Sequence, residues 1–158
     1  MNLVAANNEA YVFHLGRREK TLLTEVLGLY PRVPAGYQRL SRQGRGAEVE
    51  NAQQLLDEAL AEQRAENTRL VRRLLADPAR LGPDPAGKGW LLRLSPSDFE
   101  WLLQVLNDIR VGSWVNLGCP EARLDLKFLA PANAPDFWAM EFSGYFQMQF
   151  LEALNHRA

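Results

Sequence analysis

Tyr11 to Leu27 reads YVFHLGRREKTLLTEVL, and Trp90 to Leu106 reads WLLRLSPSDFEWLLQVL. Laid over each other at an offset of 79 residues, Leu15 falls on Leu94, Leu23 on Leu102, Val26 on Val105 and Leu27 on Leu106, while Tyr11 meets Trp90 and Glu19 meets Asp98. Each copy changes period midway. Tyr11, Phe13 and Leu15 alternate with Val12 and His14, as in a strand; after Gly16, Leu22, Leu23, Val26, Leu27 and Tyr30 recur at spacings of three and four, as in a helix, until Pro31 stops them. In the second copy Ser95, Pro96 and Asp98 form an N-cap, a first-turn proline and a reciprocal capping acid, followed by Phe99, Leu102, Leu103, Leu106, Ile109 and Trp114. An internal repeat constrains architecture more than any single propensity. It predicts two like strand-helix modules about a pseudo-two-fold axis, with Tyr11–Leu15 pairing to Trp90–Leu94.

Outward from the repeat, Pro31 to Gly46 holds two Pro, three Gly and four Arg and reads as a loop. Ala47 to Asp77 has no Pro or Gly and is rich in helix formers, which predicts one helix about 45 Å long. Val49, Ala52, Leu55, Leu56, Ala59 and Leu60 make one end apolar, and Leu70, Val71, Leu74 and Leu75 the other. Ala61 to Arg69, between them, must be solvated or packed on something polar. Residues 78–89 form a Pro/Gly-rich loop joining halves 1–77 and 90–158 of one globular domain. Leu124, Leu126 and Phe128 alternate and suggest a third short strand. Asn133 to His156 reads as a helix with apolar residues nearly all round, so it is central to the core or has a face for a partner. The expected fold is α+β and predominantly helical: four main helices beside a very small sheet of two or three short strands, two such strands being marginal alone.

At 158 residues the chain can bury roughly 68 to 70 % of its unfolded surface without a metal or disulfide. A net charge of −1 supplies no global field toward nucleic acid or an anionic membrane. The single Cys119 excludes an intrachain disulfide, and no secretory leader or membrane-spanning run is present, so a cytoplasmic location and no membrane partner are expected.

Three groups of residues are candidates for function. Arg32, Arg39, Arg42 and Arg45 lie with Tyr30, Tyr37 and Gln38 in a loop without acids, which suits phosphate or nucleic-acid binding. The spacing around Gly44 and Gly46 matches no phosphate-loop or dinucleotide fingerprint, and solvation or pairing with the acidic start of the long helix is the simpler reading. Asn107, Asp108 and Arg110 interrupt an apolar helix. They read as a structural polar network tying it to a loop, for instance from Arg39 or Arg42 to Asp108, since no second acid or His converges on Asp108. The third group is the aromatic and Met residues of the last helix, suited to core, pocket or interface. His14, His156 and Cys119 have no metal-ligand spacing, no nucleophile motif occurs, and neither metal nor cofactor is expected.

The short strand and helix of Phe13 to Leu29, the long polar helix, the motif Leu106-Asn107-Asp108-Ile109-Arg110, and the ending Tyr145, Phe146, Gln149, Leu151, Ala153, Leu154 together resemble an uncharacterised bacterial domain family of actinobacterial type. Ser113 to Asn116 departs from that pattern, where a Gly and a basic residue are expected. The resemblance implies a cytosolic accessory role and transfers no catalytic residue. The expected function is a non-enzymatic interaction or regulatory module that homodimerises through its terminal or long charged helix; anion or nucleic-acid binding by the loop arginines is the alternative.

Overall fold

The computed structural model describes residues 1–40, 46–121 and 129–155. In chain order its elements are β1 (Asn2–Ala6), β2 (Tyr11–Leu15), α1 (Arg17–Leu27), α2 (Ala47–Ala76), β3 (Leu81–Pro83), β4 (Trp90–Leu94), α3 (Pro96–Asn116) and α4 (Ala134–Asn155). The fold is α+β and 58 % helical. A four-stranded antiparallel sheet, ordered β1-β2-β4-β3, replaces the two or three strands expected. The additional strands are both edges. β1 is largely exposed and does not alternate, and β3 is three residues, Leu-Gly-Pro, whose Gly and Pro read as loop. A proline is tolerated there because an edge strand leaves one side unpaired. The strand suggested at Leu124 to Phe128 lies outside the described residues.

The central pair is the one the repeat predicts. Tyr11 pairs with Leu94, Phe13 with Leu92 and Leu15 with Trp90, so the pseudo-two-fold axis passes through the Phe13–Leu92 pair, itself 79 residues apart. The helices that follow also start 79 residues apart, at Arg17 and Pro96. Their N-caps, Gly16 and Ser95, share the same backbone angles, φ −67° and ψ 164°. The Glu19 carboxylate accepts from the Gly16 N–H at 2.8 Å, and Asp98 from the Ser95 N–H at 3.0 Å. Only the second cap is reciprocal, because Ser95 Oγ accepts from the Asp98 N–H at 3.1 Å and glycine has no such group. The aligned pairs Leu15/Leu94, Leu23/Leu102, Val26/Val105 and Leu27/Leu106 are all buried. The repeat extends to the flanking hairpin strands, giving a β-β-α-α order written twice.

One core joins both halves. Phe13, Phe99 and Phe150, from β2, α3 and α4, meet edge to face at 5.0 and 5.6 Å, with Tyr11 4.8 Å from Phe99. Such contacts add roughly 0.5 to 1.5 kcal/mol each beyond area burial. α4 packs along α3 and buries Phe137, Ala139, Phe146, Phe150 and Ala153. α2 does not mirror that position beside α1. Its buried residues, Asn67, Val71 and Leu74, all lie in its last third, near β3. The preceding turns bury no residue fully, Gln53 bonding there to Gln38 and Leu40, and Leu55 is 68 % exposed.

Candidate functional site

α1 ends at Leu27, and the chain from Tyr30 to Val33 crosses over α3. This crossing needs a residue without a side chain on α3: a Cβ at Gly112 would stand 2.3 Å from the Arg32 carbonyl carbon and 2.5 Å from Val33 N. One turn earlier, Asp108 Oδ1 accepts from the Arg32 and Val33 N–H groups at 2.7 and 3.2 Å. The Arg32 guanidinium turns to α4, donating to Asp136 Oδ1 from Nε at 3.0 Å and Nη2 at 2.5 Å. Asn116 Nδ2 donates to the same oxygen at 3.0 Å. The loop is thus braced on two carboxylates, one from each helix of the major helical pair.

Asp108, expected in a polar network with a loop arginine side chain, bonds to the loop's main chain. It holds backbone N–H groups of the loop, because α3 lies against the loop's main chain, and not the side chain of Arg39, which is exposed. Asn107 is exposed, and Arg110 lies on the other side of α3 with its Nε 3.8 Å from where a Cβ of Gly144 would be. Of the four loop arginines, Arg32 is engaged by Asp136, Arg39 is exposed, and Arg42 and Arg45 lie outside the described residues. Sequence reasoning did not foresee Asp136 as the partner of Arg32, although an acid in a helix's first turn is a recognisable anchor, nor Asn67 as the partner of Tyr30.

Asn67, 4 % exposed, donates to the Tyr30 hydroxyl at 3.2 Å and accepts from Gln63 Nε2 at 3.1 Å. Burial raises the Tyr30 pKa; the Asn67 hydrogen bond opposes this, the Asp108 charge adds to it and Arg64 opposes it. Above this pair opens a cleft of about 600 Å³. α2 forms one wall with Leu60, Gln63 and Arg64, α3 the other with Leu103, Gln104, Asn107, Asp108 and Val111, and Tyr37 stands at the lip. The cleft exists because the α2 face that continues from Val71 and Leu74 carries Gln63 and Asn67 next, so apolar packing between the helices stops there.

α4 presents the second feature. Opposite its buried face, Trp138, Tyr145, Met148 and Leu151 are 44, 36, 54 and 48 % exposed. Spacings of seven, three and three spread them over an arc of roughly 140° of the helix; Tyr145, Met148 and Leu151 line a shallow groove with Gly144, Glu141, Glu152 and Arg110. Among the described residues no cluster of His, Cys, Asp or Glu has metal-binding geometry. Among them, too, no helix is long and apolar enough to cross a membrane. No family model, curated protein or solved structure matches the chain.

Proposed function

We propose that this protein is a non-enzymatic interaction module that self-associates through the exposed face of α4. The observation that carries the reading is that stripe of four large apolar side chains on a helix whose opposite face is already buried. Aromatic residues and Met are favoured at interface centres, and Met adapts its shape to a partner. In an antiparallel crossing of two copies at Gly144 and Tyr145, Trp138 of one falls opposite Leu151 of the other, and Tyr145 packs over the second copy's Gly144. Glu141, Glu152 and Arg110 then form a charged rim. Asp108 braces a loop in this reading and has no catalytic role. Cytoplasmic residence and the bacterial accessory role implied by the family resemblance complete the proposal.

Light scattering tests it: the mass rises from 17.9 kDa toward twice that value as concentration increases, and Met148→Glu holds it at the monomer value. A strict monomer at high micromolar concentration overturns the reading. Anion or nucleic-acid binding by the arginine loop is less favoured, because Arg32 is engaged by Asp136. It requires retention of nucleic acid that falls steeply with salt.

A further inference from the structure

We infer that the cleft between α2 and α3 binds a short, linear, zwitterionic peptide. This site is on a different face from the α4 stripe and does not depend on self-association. The groups brought together there are chemically specific. Arg64 has no carboxylate partner among the described residues, and it lines the same cleft as Asp108 and Tyr30. Asp108 uses Oδ1 for the two loop N–H groups, and Oδ2 has no partner among the described residues. The Tyr30 oxygen accepts from Asn67, which leaves its proton to donate.

A cation and an anion lining one cleft suit a ligand that carries both charges, with carboxylate on Arg64 and ammonium on Asp108. Gln104 and Asn107 line the same cleft with carboxamides, each with a donor and an acceptor, the same pair a peptide group offers. Leu60 and Leu103 leave apolar wall for a side chain. A volume of about 600 Å³ exceeds what a single amino acid fills and lies within the range of small-ligand clefts. A nucleotide is less well served, because Asp108 stands against a phosphate.

The tripeptide Ala-Leu-Ala is the probe, with its C-amidated and N-acetylated forms, followed by amide chemical shifts and calorimetry on the full chain. Binding near about 1 mM or tighter is expected, with shifts confined to residues 30–38, 60–67 and 103–111. Amidation of the peptide and Arg64→Gln each weaken binding about tenfold, as loss of a charge-assisted hydrogen bond does. Together they cost no more than either alone. Arg64 lies on the face of a helix outside the core, so this variant folds and keeps the test decisive; Asp108→Asn, which also loosens the loop, is secondary. Absence of shifts at about ten times that concentration, or additive losses from amidation and Arg64→Gln, overturns the assignment.

Discussion

Asp108 and Gly112 together decide where the Tyr30–Val33 segment lies, one by attraction and the other by leaving room. Asp108→Ala removes a charged acceptor from two N–H groups and is expected to lower stability by about 1 to 3 kcal/mol, measured by urea unfolding. Gly112→Ala forces a methyl group into the Arg32 backbone, which cannot swing aside as a side chain end would. It is expected to cost at least as much, about 1 to 3 kcal/mol or more. If Gly112→Ala unfolds at the wild-type midpoint, the close crossing is wrong. At this scale the sequence was legible where a residue acts on its own helix, as Ser95 and Asp98 do. It was not legible where the partner is main chain far along the chain: nothing local to Asp108 names the Arg32 and Val33 amides.

The two caps at the helix starts are where element stability depends on pH. For Asp98, burial alone would raise the pKa, but hydrogen bonds from Ser95 and Trp101 Nε1 and the nearby Arg80 guanidinium outweigh it and hold the carboxyl below its ordinary value of 3.8. For Glu19, burial is likewise outweighed, by the chain's amino group, the Gly16 N–H and the Tyr145 hydroxyl, and its pKa falls below 4.5. A depressed folded-state pKa contributes stability that is present above the unfolded value and lost as pH falls through the folded one. Unfolding free energy is therefore expected to drop on acidification below about pH 4. Asp98→Asn flattens that limb, whereas an unchanged acid limb contradicts the assignment. Ser95→Ala removes the reciprocal half of the cap and is expected to cost about 1 kcal/mol, read from the thermal midpoint. The helices were legible because caps and a 3.6-residue period are local. β1 and β3 were not, since an exposed edge strand has no alternation to display and a Gly-Pro strand has loop composition.

At the scale of the molecule, the strand-helix repeat organises the centre, and its two unlike second helices break the symmetry. α4 fills the position along α3 and has an apolar face left over; α2 buries residues only in its last third and opens a cleft. The repeat was legible as an alignment because pairing across the axis buries equivalent residues in equivalent places. The difference between the second helices was legible in part, since Ala61 to Arg69 is polar while the last helix is apolar nearly all round; that Asn67 would reach Tyr30 was not. What separates them is Gln63 and Asn67 at the point where α2 would otherwise continue along the body. The central claim, that two copies cross antiparallel on α4, is tested most directly by disulfide trapping of single-cysteine variants in a Cys119→Ser background. Tyr145→Cys, next to the crossing point, is expected to give a covalent dimer readily, while Leu55→Cys on the projecting part of α2 stays monomeric. Trapping at Leu55→Cys with none at Tyr145→Cys would contradict the account.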